Sequence, residues 1–392
     1  MALVHPFLNV ELFTLIDVWF FSNEVDLFIM EFWNKLYKRR KSFLRLRECH
    51  VRQKINYQTW LNTYDDIDFF RLFRMQKSTF YKLLATLIEV DVIRLIHKKY
   101  RGGNCVVQPE KGLLVFLWYI SKQDTLLSIA DRFNLVPSTV MSIVNAFLYT
   151  ILKLKSKYIF WPKTNEEYQH ICDEFSNYPN VIGAVDGTHI NVKVPSHQHD
   201  SYVNRYQNHS INCMAICTSQ KLFTYVFVGY PGSAHDSRVF SNSSLVRHIE
   251  QYGKQKYFPR DEYALIGDSA FPLKPWLMKP YSRRNNLTRK ERHHNFCLSS
   301  DRVCIENAFG ILKGRWARLK FINTYSISKA IEITTAACIL HNYCYMNDDQ
   351  WEEEIEIDHD NEEEEYVDDR EAYRLAKEKR DNIATFLFNN RI

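Results

Sequence analysis

The chain has 392 residues, of which 46% are hydrophobic, and it carries a formal net charge of +5. This length predicts two or three domains, and the apolar content excludes a wholly disordered protein. No uncharged stretch reaches the roughly 18 residues that a membrane-spanning helix needs, and no signal-peptide pattern begins the chain, so we expect a soluble intracellular protein without a membrane partner.

The two ends of the chain have opposite charge. The predicted N-terminal extension, residues 1–60, contains the basic stretch KRRKSFLRLRECHVRQK at positions 38–54. Its KRRK run fits either a nuclear localisation signal or a solvated turn, and we expect the protein in the nucleus, with the cytoplasm as a second location. Residues 347–392 are predicted to be an acidic tail with a short C-terminal helix, which fits a solubilising extension or a partner-binding segment.

Residues 61–160 have the apolar spacing of a helical domain. Ser78 is predicted to cap one of its helices. In the stretch 125–153, two amphipathic helices are separated by a break at 134–137, with Ser138 as the cap of the second. This pair fits a helix-turn-helix or an ordinary helical hairpin. In the first case the second helix would present four polar side chains to DNA: Ser138, Thr139, Ser142 and Asn145.

Residues 175–346 begin as strands and end as helices. The strand candidates are VIGAVDGTHINVKV, SINCMAICTS, FTYVFVGYPG and YALIGDS, each bounded by turn residues. Helical periodicity follows over 302–321 and 329–345. Strands followed by helices predict an α/β domain in which helices flank a mixed sheet.

Two aspartates interrupt the apolar strands. Asp186 lies near the predicted end of the first strand and Asp268 at the end of a later one, while Glu306 lies at the edge of the apolar stripe of the following helix. Active sites of open α/β sheets lie at the carboxyl ends of strands, and clustered carboxylates need cations. We therefore predict that these three acids bind Mg²⁺ or Mn²⁺ for displacement at a phosphodiester.

Other residues could assist such a site. Asp236 follows a turn at a strand end and either binds a metal, which we favour, or caps the next helix. His189 and His235 neighbour acids and fit turn histidines better than ligands. Arg302 and Lys313 share one side of the helix with Glu306, as expected of flanking cations or of a surface ion pair.

The nine cysteines are scattered, which fits a reducing compartment. Cys338, His341 and Cys344 lie close together, but their apolar helical context favours core packing over zinc binding.

Several segments together resemble a known family. GAVDGTHI, SYVNRYQNHSINCMAIC, GYPGSAHDSRVF, IGDSAFPLKPWLMKPY and RVCIENAFGILKGRW look like the DDE catalytic domain of PIF/Harbinger transposases and their domesticated nuclease relatives, in order over roughly residues 70–345. The resemblance implies an RNase H-like fold, a catalytic triad of Asp186, Asp268 and Glu306, and Asp236 as a further metal ligand. One departure is Thr218, where the family typically has Asp after the strand that ends AIC.

The resemblance also implies how the protein would act. It predicts metal-dependent hydrolysis of DNA, with strand transfer as a following step, an upstream helix-turn-helix, a separate Myb-like DNA-binding partner and a homodimer. Four basic side chains of the long helix would contact phosphates, or form a solvated helix face: Arg302, Lys313, Arg315 and Arg318.

Two functions from different classes remain open at this point. One is an active nuclease, which the intact set of three acids favours. The other is a domesticated DNA-binding or scaffold protein that keeps the fold without the reaction. A small-molecule phosphatase ranks last, because the chain has basic segments and a helix pair suited to DNA.

Overall fold

Residues 57–90, 107–194, 199–282, 286–324, 326–351 and 370–390 are described by the computed structural model of the chain. All of them belong to the second of two units, Lys54–Ile392. The basic stretch at 38–54 and residues 352–369 of the acidic tail lie outside the described residues.

The first half of this unit is helical. Its described helices are α1 (Tyr57–Thr63), α2 (Asp66–Phe73), α3 (Lys77–Glu89), α4 (Pro109–Ser121), α5 (Leu126–Arg132), α6 (Pro137–Lys153), α7 (Lys155–Tyr158) and α8 (Asn165–Glu174). The predicted caps Ser78 and Ser138 are wrong by two residues, since Gln76 and Val136 hold the N-cap positions. Pro137 explains the second shift, because its fixed φ suits the first position of a helix.

Helices α5 and α6 are the predicted helix pair. They meet at a bend of 99°. The predicted inward residues Val140, Ile143, Val144 and Phe147 are all buried, which confirms the amphipathic pattern of α6. No single helix among the described residues is long and apolar enough to cross a membrane, and α5 and α6 reach that length and composition only together.

A five-stranded mixed sheet forms the second half. The strands are β1 (Val181–Asn191), β2 (Ser210–Cys217), β3 (Phe223–Pro231), β4 (Ala264–Ile266) and β5 (Leu277–Met278), in the order β3-β2-β1-β4-β5. β1 to β3 are antiparallel neighbours, whereas β4 runs parallel to β1 and β5 parallel to β4. The four predicted strands are confirmed; the two-residue β5 was not predicted.

The remaining helices lie in this second half of the chain. They are α9 (His199–Tyr202), α10 (Asp236–Ser241), α11 (Ser244–Tyr252), α12 (Arg289–Arg315), α13 (Ile327–Tyr345) and α14 (Arg370–Asn389). α12 is 27 residues long and begins well before the predicted 302, because Thr288 and Glu291 form a capping box at its N-terminus.

Each face of the sheet has its own hydrophobic core. On one face, Ala184, Ile190 and Ala215 pack with α12 and α13 and with the helices before the sheet. On the other face, Val185, Met214 and Ile216 pack with α8, α10 and α11. The first core continues across the boundary predicted near residue 160, since α6 packs on α13, so the early helices extend the core of the sheet.

Helix α14, the last described helix, packs against α12 and β5. Lys379 Nζ donates to the backbone oxygens of Asp261, Tyr263 and Pro275 at 2.6, 3.2 and 2.9 Å. Tyr281 Oη donates to Asp381 Oδ1 at 2.6 Å. Four buried residues anchor the helix: Ala376, Arg380, Ala384 and Leu387.

Candidate active site

The pairing of β1 with β4 brings two aspartates level with each other. Ala184 of β1 pairs with Ile266 of β4. Asp186 lies two residues after Ala184, and Asp268 lies two residues after Ile266, where β4 has ended. Asp186 is therefore in the middle of β1 rather than near its end as predicted, because β1 continues along β2 to Asn191. Asp268 Oδ1 accepts a hydrogen bond from Ala270 N at 3.0 Å, which shapes the turn after β4.

The pKa of Asp186 lies well above its ordinary value. Burial, together with the nearby charges of Asp268 and Asp236, raises the pKa of its carboxyl to about 8, although Arg302 and the hydrogen bond from Gly187 N lower it. Four charged side chains therefore interact beside the end of β4: Asp186, Asp236, Asp268 and Arg302. The site therefore carries more negative charge than the Arg302 guanidinium balances.

Arg302 joins Glu306 to Asp186. Its Nη1 donates to Asp186 Oδ2 at 2.8 Å, and its Nη2 donates to Glu306 Oε1. Although burial lowers it, the charges of Asp186 and Glu306 raise the pKa of Arg302 above its ordinary value. Arg302 and Glu306 lie one turn apart on α12. Because Arg302 contacts Asp186, the helix brings Glu306 close to Asp186 as well.

Asp236 reaches the site from the opposite face of the sheet. It is the first residue of α10, and His235, not Asp236, holds the N-cap position. Asp236 Oδ1 accepts a hydrogen bond from Asn212 Nδ2 of β2 at 2.9 Å. A Cβ at Gly187 would lie 2.4 Å from Asp236 Oδ1. The glycine after Asp186 is thus required for Asp236 to approach β1.

A cavity of about 310 Å³ opens beside the carboxylates. Asp236 and Asp268 line it, together with both histidines singled out from the sequence, His189 and His235. His189 Nδ1 lies 3.1 Å from Ser210 Oγ, a contact that fixes its ring against β2. The rest of the wall comes from residues 203–205, 207 and 232–234.

The donor set suits a hard divalent cation in its chemistry. Carboxylate oxygens are the ligands that Mg²⁺ and Mn²⁺ prefer. Asn212 Oδ1 is a further buried oxygen, next to Asp236, that has no hydrogen-bond partner. As the side chains stand, however, no three His, Cys, Asp or Glu residues of the described chain are grouped to hold a metal ion. The Arg302 guanidinium lies between Asp186 and Glu306 instead.

The polar residues predicted to read DNA lie on α6. Ser138 is exposed, whereas Thr139, Ser142 and Asn145 are half-buried. Ser142 Oγ donates to the Ser138 backbone oxygen at 2.9 Å, and Asn145 Oδ1 is buried without a partner. A role of this face in DNA binding stays a prediction.

The basic side chains predicted on the long helix have different surroundings, and Arg318 lies in a 3₁₀ turn, Ala317–Lys320, after α12 has ended. Arg302 contacts the carboxylates, and Lys313 is half-buried about three turns further along α12. Arg315 is fully buried and donates to the Asp349 backbone oxygen at 2.7 Å. Arg318 donates to the backbone oxygens of Tyr119 and Asp124 at 2.9 and 2.7 Å. The prediction of a phosphate-contacting surface is therefore wrong for Arg315 and Arg318, whose guanidinium groups are engaged inside the protein.

Two features of the site were not found from the sequence. Gly187 had a signal, because a glycine inside a strand often marks a close approach. Asn212 had none, since its neighbour Asp236 is known only from the fold.

Thr218, the departure from the family pattern, closes the turn between β2 and β3, where Thr218 N donates to Leu222 O at 3.0 Å. His341 Nε2 lies 2.8 Å from Lys221 O, as a core histidine would.

Comparison with known proteins adds independent information. A model of the DDE superfamily endonuclease family matches residues 185–342. The chain is 31% identical over 242 residues to "Putative nuclease HARBI1" of Bos taurus, covering 60% of this chain and 67% of the relative. The Homo sapiens protein of that name gives the same identity and coverage. "Protein ALP1-like" of Arabidopsis thaliana is 25% identical over 301 residues, covering 73% of this chain and 72% of the relative. No solved structure matches the chain.

Proposed function

The chain belongs to the family of Harbinger-type DDE nucleases, and from this we propose that it cleaves DNA phosphodiester bonds with the help of divalent cations. Asp186, Asp268 and Glu306 are the proposed catalytic acids, and Asp236 is the proposed fourth metal ligand. Strand transfer by the freed 3′-hydroxyl is proposed as a following step.

One observation carries this proposal. Three acids from separate parts of the chain interact with Arg302 at one end of the sheet, and a fourth reaches the same place past Gly187. Unbalanced buried carboxylates are costly for a fold. Such a cluster is expected where divalent cations and a phosphate group complete the charge balance.

Each side chain has a proposed task. Mg²⁺ or Mn²⁺, held by Asp186, Asp268, Glu306 and Asp236, would supply the positive charge that activates a nucleophile and stabilises a leaving oxygen. Asn212 orients Asp236 through its Nδ2 donor. Arg302 neutralises Asp186 and Glu306, and its guanidinium is placed to donate to a phosphate oxygen once those acids have other partners.

The other expectations remain part of the proposal. In the strand order β3-β2-β1-β4-β5, the central strand β1 runs antiparallel to β2 and parallel to β4. This topology supports an RNase H-like fold. The 99° bend between α5 and α6 supports a helix-turn-helix. Nuclear location, a Myb-like partner and a homodimer are proposed from the family resemblance.

A cleavage assay with paired variants tests the central claim. Supercoiled DNA and oligonucleotide duplexes would be incubated with Mg²⁺ or Mn²⁺ and with Asp186→Asn, Asp268→Asn or Glu306→Gln. We expect each substitution to abolish nicking. Asp131→Asn and Glu250→Gln remove exposed carboxylates on α5 and α11 and are the matched controls. Nicking that survives in a folded triad variant would remove that residue from the mechanism.

A second candidate is a DNA-binding protein that does not cleave. The observation that favours it is the pairing of Arg302 with both Asp186 and Glu306, which satisfies these acids without a metal. Calorimetry separates the two functions. A nuclease binds Mg²⁺ or Mn²⁺ and loses this binding on Asp268→Asn, whereas the second candidate binds DNA and neither metal.

A further inference from the structure

A small loop forms one wall of the cavity beside the carboxylates. This loop, residues 203–209, connects α9 to β2 and contributes Val203, Asn204, Arg205 and Gln207 to the cavity that Asp236 and Asp268 also line. Its ends pair as a β-bridge between Val203 and His209. Two of its exposed residues, Arg205 and Gln207, therefore lie next to the proposed position of the scissile phosphate, and Tyr206 lies between them in the chain.

The loop is held in shape from inside. Asn204 is only 4% exposed, and its Oδ1 accepts hydrogen bonds from Tyr206 N and Asn208 N, both at 3.0 Å. Asn204 Nδ2 donates to Ser210 Oγ at 3.1 Å, which ties the loop to β2. Gln207 has a φ of +61°, a left-handed conformation that the tight turn requires. A loop fixed in this way can present its outer side chains without the entropy cost of ordering them on binding.

The outer side chains combine a cation with an aromatic ring. Arg205 is exposed, and Tyr206 is 55% exposed. The Arg205 guanidinium lies 5.0 Å from the centroid of the Tyr206 ring, and its Nη2 donates to Tyr206 Oη at 3.2 Å. A positive charge beside an accessible aromatic face is the combination that binds single-stranded nucleic acid, through phosphate contact and base stacking.

We propose that the 203–209 loop binds an unpaired DNA strand next to the carboxylates, with Arg205 at a phosphate and Tyr206 stacked on a base. An unpaired strand fits better than a duplex, because stacking needs a base face that a duplex hides. A cation at the cavity wall is also needed there, since Asp236 and Asp268 repel phosphates. This inference rests on the proposed function in taking DNA as the substrate and the carboxylates as the place of the scissile phosphate.

Fluorescence anisotropy with labelled oligonucleotides tests the loop directly. The full chain would be titrated against one single strand and its duplex, in calcium buffer, because Ca²⁺ takes oxygen ligands and would balance the carboxylates. Tyr206→Ala should weaken single-strand binding on the order of tenfold and duplex binding less. Tyr206→Trp keeps a ring and should retain the affinity. Arg205→Ala should weaken binding and lower the salt dependence by about one ion.

A matched control exists elsewhere on the surface. Tyr252 is 61% exposed, and Lys256 Nζ lies 5.4 Å from its ring centroid. Tyr252→Ala therefore removes a comparable aromatic–cation pair outside the cavity, and it should leave both affinities unchanged.

The outcomes separate this inference from the proposed function. If the wild-type chain nicks DNA but Tyr206→Ala binds the single strand as tightly as wild type, the loop inference fails alone. It fails in the same way if Tyr252→Ala loses as much affinity as Tyr206→Ala. A wild-type chain that binds neither DNA would overturn both proposals. Because Tyr206 is exposed, its loss should leave thermal unfolding unchanged, and a lowered Tm would assign the residue to stability instead.

Discussion

Helix α12 carries two arginines in ion pairs of opposite kind. Arg302 and Arg315 are about 20 Å apart along the helix, at 1.5 Å per residue. Arg315 and Asp349 are both fully buried, one charge against one, with 3.3 Å between Nη2 and Oδ1. Arg302 is partly accessible and faces several acids, with Asp186 and Glu306 in direct contact and Asp268 nearby.

The two groups of charges differ in their role, which is stability for Arg315 with Asp349 and ligand binding for Arg302 with its acids. A balanced, buried pair fixes two parts of the chain to each other, because either charge left alone would be strongly unfavourable. An unbalanced cluster destabilises the fold by its excess charge and is expected where a ligand supplies the missing charge. Removing an acid should therefore weaken the protein at one end of α12 and strengthen it at the other.

The largest expected effect is at the balanced end. Asp349→Ala leaves Arg315 buried without its partner and also removes the acceptor of Gln76 N, which lies 2.7 Å from Asp349 Oδ2. We expect the free energy of unfolding to fall by about 3–5 kcal/mol. Urea denaturation measures it, with Glu306→Gln as the matched change at the other end. Similar losses from the two variants would contradict the distinction between the pairs.

The next effect concerns how the acids are brought together. Gly187→Ala places a Cβ 2.4 Å from Asp236 Oδ1 and 3.0 Å from its Cγ, so Asp236 must move. We expect Mg²⁺-dependent nicking to fall roughly 100-fold in a folded protein, since displacements near 1 Å can cost that much.

Gly314→Ala is the control on the same molecule. Its new Cβ would meet Trp351 at ordinary contact distances of 3.5–3.6 Å. Nicking should be unchanged, and stability should rise by up to about 1 kcal/mol because alanine favours a helix. Unchanged nicking in both variants would show that Asp236 does not need its position.

The smallest effect is a gain of stability at the unbalanced end. The pKa of Asp186 is about 8 in the folded protein, against 3.8 as its reference value. Between these values the folded state binds more protons than the unfolded chain, so the free energy of unfolding falls as pH rises. Asp186→Asn cannot ionise and should be more stable by about 1 kcal/mol near pH 7.5, after the lost contact with Arg302 is offset.

This gain should depend on pH. Near pH 4 the Asp186 carboxyl is protonated in the folded protein, so the advantage of Asn should vanish there. Urea denaturation in EDTA at several pH values measures the difference. An Asn variant that is less stable than wild type near pH 7.5 would show that the contact with Arg302 outweighs the repulsion.

The sequence predicted the strands and which acids interrupt or follow them, because apolar runs and their polar interruptions are local signals. Placing Asp186 and Asp268 at strand ends was enough to predict that they meet. It could not predict that Asp186 lies in mid-strand, since this depends on β4 ending after Ile266 while β1 continues. The register between two distant strands cannot be deduced from the sequence of either strand alone.

The errors on α12 have the same origin. Arg315 follows Glu306 on a helix rich in cations, and only the fold shows that Asp349, from the start of the presumed acidic tail, is buried against it. The earlier start of the helix, in contrast, was readable, because Thr288 and Glu291 have the spacing of a capping box.

The position of α14 in the chain determines when the carboxylates gain its support. The helix supports β5 and the first half of α12, and Lys379 fastens backbone at three separate points. These residues leave the ribosome after every residue of the carboxylate cluster has been synthesised. The sheet and its acids would therefore gain this support only when translation has passed residue 389.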